Sequence, residues 1–171
     1  AEPSNRLSAG SVLPPGWLKF KRGLVELQFY HGARVVLEGP AEFHLVSDMA
    51  ATCDLGKFRV DVPPSAHGFK LTTPNAQVVD LGTAFGMQVL ANGQSDVHVL
   101  EGKIKMSNAA IGQRPRDLNQ GQSVHVDGSG QLSDIQPDGK SFLSPAEVEQ
   151  RVQAESKRQY ENWRAFSASL T

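Results

Sequence analysis

From Gly23 to Val126 apolar and polar residues alternate with a period of two. Val25, Leu27 and Phe29 alternate with Glu26, Gln28 and Tyr30. Ala41, Phe43 and Leu45 do the same, followed by Met49, Ala51, Cys53 and Leu55, then Phe58, Val60 and Val62. Successive side chains of a strand point to opposite faces, so each run makes a strand with one apolar face. The breaks carry turn chemistry: Tyr30-His31-Gly32, Glu38-Gly39-Pro40, Gly56, Pro63-Pro64, Asn92-Gly93, Glu101-Gly102 and Asp127-Gly128. Val97 and Val99 return after Asn92-Gly93, Ile104 and Met106 continue after Gly102, and Val124 and Val126 form a short strand. Residues 107–120 have little periodicity and read as a loop.

Thr72–Val89 stands at the centre of this pattern. Pro74 ends one strand and Ala76–Val78 starts the next. The apolar phase then changes across Asp80-Leu81-Gly82-Thr83 before Phe85, Met87 and Val89 resume it. A glycine inside a strand pattern marks a bulge or corner. Asp80 is the polar residue of an apolar run, and the expectation is that its carboxylate caps backbone N–H groups at the Gly82-Thr83 corner.

The two ends differ from this body. Residues 1–16 are polar and rich in Ser, Pro and Gly, and read as a flexible tail or linker, with Trp17 and Phe20 anchoring its end. Ala1 in place of Met suggests a processed chain or an excised piece. Residues 17–136 form the β domain. Residues 137–171 hold a loop and an amphipathic helix that starts at Ser144-Pro145-Ala146-Glu147, a capping box with proline at the first helical position. Val148, Val152, Tyr160, Trp163, Phe166 and Leu170 mark its apolar stripe, which needs a docking surface.

Composition narrows function. A net charge of −1 gives no electrostatic case for nucleic acid. No run approaches the roughly eighteen apolar residues that read as a membrane span. Cys53 is the single cysteine, so no intrachain disulfide forms, and it reads as a buried small hydrophobe. The histidines His31, His44, His67, His98 and His125 do not pair at metal-ligand spacing. Glu38, Glu42, Asp61, Asp80, Asp96 and Glu101 could supply a carboxylate pair, but most fall at outward strand positions and read as surface charge. No nucleophile elbow or phosphate loop is present, no cofactor is expected, and the chain reads as non-enzymatic.

The β region repeats itself imperfectly. Asp54-Leu55-Gly56 matches Asp80-Leu81-Gly82, Gly56-Lys57-Phe58-Arg59-Val60 matches Gly102-Lys103-Ile104-Lys105-Met106, and Gly93-Gln94-Ser95 with Val97-His98-Val99 matches Gly121-Gln122-Ser123 with Val124-His125-Val126. The expected fold class is all-β: a β-solenoid-like stack of short strands with a C-terminal α-helix. A β-sandwich or jelly roll is the alternative.

The order of these pieces resembles the FecR domain. G-x-V-x-L fits Gly23–Leu27, and G-A-x-V-x-x-x-G-P-A fits Gly32–Ala41. G-F-x-x-x-T-P-x-A-x-V-x-D-L-G-T-x-F-x-V-x-V fits Gly68–Val89 with Met87 for valine, V-x-V-x-E-G-x-V fits Val97–Ile104 with Ile104 for valine, and L-x-x-G-Q fits Leu118–Gln122. The match runs over roughly residues 20–127 and is similar to planctomycete-type versions of the family. The resemblance makes Thr73, Pro74, Asp80, Gly82, Thr83, Glu101 and Gly102 a structural motif and carries over no catalytic residues. It implies the extracytoplasmic, periplasmic sensor module of a regulator of an extracytoplasmic-function sigma factor. The cytoplasmic anti-sigma segment and the transmembrane helix of full-length family members are not in this sequence, so a membrane link would run through a missing span. The expected partner is a protein, either the signalling domain of a transducer or a downstream domain of the same chain, with a glycan reached through a neighbouring domain. The candidate contacts are strand edges and the helix residues Tyr160, Trp163 and Phe166. The competing class is a carbohydrate-binding or carbohydrate-active β-sandwich. It needs an aromatic platform, which two Trp and two Tyr scattered along the chain do not suggest.

Overall fold

The computed structural model describes residues 10–108 and 114–168, with side chains described as far as residue 158. The described chain is mostly β with one C-terminal helix.

A bent hairpin is the frame. Strand β3 (Arg34–Ser47) and strand β4 (Ala50–Asp61) pair antiparallel along their lengths and reverse at Asp48-Met49. The breaks expected at Glu38-Gly39-Pro40 and Gly56 are not chain reversals. Both lie inside strands, at the same level of the hairpin, where Glu38 pairs with Lys57 and Glu42 with Leu55. Three residues there oppose one, so the ladder bulges and the hairpin bends. Gly39-Pro40 is a cis peptide, and Gly56 has a φ of +148° that a side chain resists. Strands β1 (Gly16–Phe20) and β2 (Leu24–Gln28) lie end to end along the outer edge of β3, one on each side of the bend. The tail expected to reach residue 16 therefore gives way to a strand at Gly16.

The other edge of β4 forks. Its first half pairs in parallel with β5 (Lys70–Thr72), followed by β6 (Ala76–Asp80), β9 (Lys103–Asn108) and β10 (Arg116–Asn119). Its second half pairs antiparallel with β7 (Ala84–Val89), followed by β8 (Ser95–Glu101), β11 (Ser123–Val126) and β12 (Leu132–Asp134). Strand β10 falls in the stretch expected to be a loop. Its Leu118 is fully buried, and this one apolar anchor is too short a signal for a period to register. Among the described strand pairs only β4–β5 is parallel. Coils stacked as in a β-helix would make neighbouring strands parallel, and that pairing is confined to this one contact.

The sheet curls around one core shared by both arms. Phe43, Phe58, Phe69 and Phe85 are fully buried in it, with Phe43 edge-on to Phe58 at 5.8 Å between ring centroids. Each such ring contributes roughly 1.5–3 kcal/mol by leaving water. Cys53 is buried among them, and desolvation pushes its thiol up to about 12. Arg116 at one arm's end is ion-paired to Asp134 at the other's, with 2.8 Å between them.

Helix α1 (Pro145–Ala168) starts with both halves of the capping box made. Ser144 N–H donates to Glu147 Oε2 at 2.7 Å, and Glu147 N–H donates to Ser144 Oγ at 3.2 Å. Val148 is buried against the sheet, whereas every residue from Glu149 to Arg158 is exposed, Val152 included. Among the described side chains of the apolar stripe, Val148 in the first turn docks here and Val152 does not. Among the described residues no helix is long and apolar enough to cross a membrane.

Candidate functional site

Three corners carry the chain between the arms. Leu81-Gly82-Thr83 links β6 to β7, and Gly102 alone links β8 to β9. The last is Gln120-Gly121-Gln122 between β10 and β11, where Gln120 N–H donates to Gly102 O at 2.9 Å. The first two crossings lie side by side, with Leu81 N–H donating to Lys103 O at 3.1 Å. Gly102 has a φ of +73°, and a Cβ on it would overlap the Gly82 carbonyl oxygen. Gly82 has a φ of +95°, and a Cβ on it would meet only His67 Cδ2, at an ordinary 3.7 Å. Asp80 is fully buried, and its Oδ2 accepts the Gly82 N–H at 2.8 Å. Burial raises its carboxyl to about 6, opposed by the Gly82 N–H and by nearby His67. Asp80 Oδ1 and Thr83 Oγ1 are buried without a protein partner.

The structure thus brings Asp80, Gly82, Thr83 and Gly102 into one corner, with Glu101 exposed beside it. Thr73 and Pro74 lie at the opposite end of β6, in the β5–β6 turn. Thr73 Oγ1 accepts Ala76 N–H at 3.2 Å there. Tyr160, Trp163 and Phe166 fall on the backbone of α1, and their side chains lie outside the described residues.

The carboxylates weighed for catalysis have basic partners in several cases. Glu42 meets Lys19 at 3.6 Å, Asp61 meets Arg59 at 2.9 Å, and Asp96 meets His125 Nδ1 at 2.6 Å. Among the described residues no three His, Cys, Asp or Glu side chains are grouped to hold a metal. His98 and His125 sit on neighbouring strands but not opposite each other: His98 faces Ser123, and His125 faces Asp96.

Two surface features went unseen in the sequence. The first is a cavity of about 480 Å³ between β2, the end of β3 and the segment 10–15. Leu13, Val25, Leu27, Phe29 and Leu45 form its apolar wall, with Asp48 at the polar side. The size falls in the range of ligand pockets. It exists because the hairpin bends, which alternation alone does not reveal. The second is the attachment of the C-terminal connector. Phe142 lies on the outer face of the sheet over Gly86, where a Cβ would come within 2.5 Å of the ring. The ring is 5.2 Å from the His98 ring, and Lys57 Nζ is 5.4 Å from its centroid. Leu143 before the Ser144 cap and Val148 in the first turn stand at hydrophobic-staple positions, the one local signal of this docking.

The described residues form a mostly β module with one C-terminal helix, in which β1 and β2, β10 and β12 lie at the edges of the described sheet. Residues 21–105 match the family described as FecR protein, and over that span the chain belongs to the FecR family. No curated protein matches the chain. Two crystal structures of a proposed anti-sigma factor from Parabacteroides distasonis ATCC 8503 share the fold. The 2.50 Å structure superposes with a TM-score of 0.62 at 15% identity, covering 74% of this chain and 62% of its own. The 1.65 Å structure gives 0.61 at 16% identity, covering 72% and 61%. The chain therefore spans less than two thirds of the length of these structural relatives.

Proposed function

We propose that this chain is the non-enzymatic, extracytoplasmic sensor module of a FecR-like regulator of sigma-factor signalling, and that it works by binding a partner protein. The periplasmic location and the module limits, residues 17–136 with the connector and helix behind them, are part of this reading. Family membership supports the regulatory role. The single observation that carries partner binding is the edge formed by β1 and β2, which among the described residues pair only with β3. Gly23 and Phe29 are hydrogen-bonded to Gly39 and Ala33 across the ladder, so in the antiparallel alternation the N–H groups of Leu24, Glu26 and Gln28 point to the free side. An extended peptide adds to such an edge through main-chain hydrogen bonds and places alternate side chains in the adjoining apolar cavity. Tyr160, Trp163 and Phe166 are the proposed second contact, toward a transducer or a downstream domain.

The test is Gln28→Pro, which removes one outward N–H at an exposed edge position. Transcription from a promoter of the sigma factor encoded with this regulator should fall or rise to the level seen when residues 16–136 are deleted, while the purified variant melts as wild type. Unchanged transcription refutes edge binding.

One observation favours carbohydrate binding as a second reading. Trp17 is half exposed and stacked on His44 at 4.8 Å, in a cross-strand row that continues through Thr52 and Thr72 on the outer face. A glycan array probed with wild type and Trp17→Ala decides it: signals lost with the ring support it, and a blank array removes it.

A further inference from the structure

The segment from Asp138 to Val148 is the only described route by which α1 is held to the sheet, and it is fastened at four points. Asp138 N–H donates to His98 Nδ1 at 3.2 Å. Gly139 lies against Leu100, close enough that a Cβ would come within 2.8 Å of Cδ2. Phe142 fills the notch over Gly86 and touches the His98 ring. Val148 closes the series on the sheet, where α1 meets β3. From Glu149 to Arg158 the described side chains are solvent-exposed, so among the described residues this strip is what holds the helix.

We propose that His98 makes this strip a pH-sensitive latch, docked when the imidazole is neutral and released when it is protonated. The reason is donor geometry. As an acceptor of the Asp138 N–H, Nδ1 must be unprotonated, with the ring proton on Nε2. A second proton on Nδ1 turns the acceptor into a donor facing a donor, at a site where His98 is only 6% exposed. The charged groups around it come from each packed element. Asp96 of β8 and Asp138 of the connector favour the protonated ring, and Lys57 of β4 opposes it. From β11, His125 holds Asp96. Strand β7 presents Gly86, which has no ionisable group, and its β4 neighbour Arg59 is paired to Asp61. Desolvation outweighs the two carboxylates and lowers the affinity of docked His98 for the proton.

The sign follows. Docked His98 binds its proton less tightly than released His98, so docking is complete above the ordinary histidine range and weakens as the pH falls through it. Each pH unit between the two values changes the docked-to-released ratio by up to about tenfold. The consequence is a sheet that keeps its fold while α1 gains freedom in acid, whichever partner it serves.

The experiment is NMR on the full 171-residue chain from about pH 8 to about pH 5. The amides of Asp138, Gly139 and Phe142, the His98 ring, and the core amides of Val60 and Met87 are followed together. The expected result is that connector signals leave their docked positions with the midpoint of the His98 ring, while Val60 and Met87 stay. His98→Gln retains an acceptor and does not titrate, so its connector should stay docked throughout. Phe142→Ala should give the released spectrum at every pH and serves as the reference. Docked signals that persist to the acid end overturn the proposal. So does a release that is unchanged in His98→Gln, or one in which the core signals are lost over the same range.

Discussion

Gly102 and Gly82 touch where two neighbouring crossings of the sheet pass each other, the carbonyl oxygen of Gly82 occupying the space that a Cβ on Gly102 would need. The contact fastens the β6–β7 link to the β8–β9 link. It makes the two glycines unequal, because Gly82 needs only its φ of +95°, whereas Gly102 needs both its φ of +73° and the missing side chain.

Gly82→Ala should therefore cost about 1–2 kcal/mol, the penalty of a left-handed backbone with a Cβ. Gly102→Ala should cost more, since a backbone carbonyl must also move. Gly82→Val adds β-branching to the same strain and should cost more than Gly82→Ala. Urea unfolding of the three variants checks the order. A Gly82→Val protein with wild-type stability would remove the structural account of this corner.

Asp80 predicts a pH dependence of stability with an unusual sign for a carboxylate. Its folded value near 6 lies above the ordinary 3.8, so the folded state holds the proton more tightly than the unfolded chain. Its contribution is least favourable above the folded value, improves as the pH falls through it, and levels off below the unfolded value. The two-unit difference corresponds to about 3 kcal/mol. Asp80→Asn keeps an acceptor for the Gly82 N–H without the charge. Subtracting its stability curve from that of wild type should leave a relative wild-type gain on acidification across this window. A flat difference contradicts the buried charge.

Gly86→Ala should separate the connector from the sheet. The new methyl occupies the position of the Phe142 ring, which must leave its seat, while β7 keeps its pairs with β4 and β8. Hydrogen exchange is expected to speed up in residues 138–148 and stay slow in the amides of β4 and β7. Equal acceleration in both would mean that the connector is part of the cooperative core.

Cys53 should be silent toward thiol reagents in the native state. It is fully buried, and its thiol is pushed up to about 12, so almost no thiolate exists near neutrality. Ellman's reagent at about pH 8 should give no colour until urea unfolds the protein, after which one thiol reacts. Rapid native labelling would contradict this core assignment.

Much of the strand pattern is legible locally. Asn92-Gly93 turns its hairpin with Gly93 at a φ of +84°, the Asp127-Gly128 turn forms with Gly130 rather than Gly128 in the left-handed region, and the Ser144–Glu147 box starts the helix. The misread places share one cause. Gly39-Pro40 and Gly56 carry turn chemistry, yet they face each other across one ladder and bend it together. The true reversal at Asp48-Met49 has no glycine or proline to announce it. Phe142 likewise reads as an ordinary residue of a loop until Gly86, 56 positions earlier in the chain (142 − 86), is seen beneath it.

The alternation of residues by itself determined that this chain is a β protein, because a period of two buries one face of a strand and of no helix. It also determined the glycine corners, because left-handed backbone excludes most side chains, and the helix start, because a capping box satisfies N–H groups within four residues. The tertiary structure alone decided which strands pair, where the hairpin bends and what lies on its outer face. Those outcomes depend on residues far apart in sequence competing for the same edge of β4 and the same notch over Gly86, and no local pattern records which of them wins.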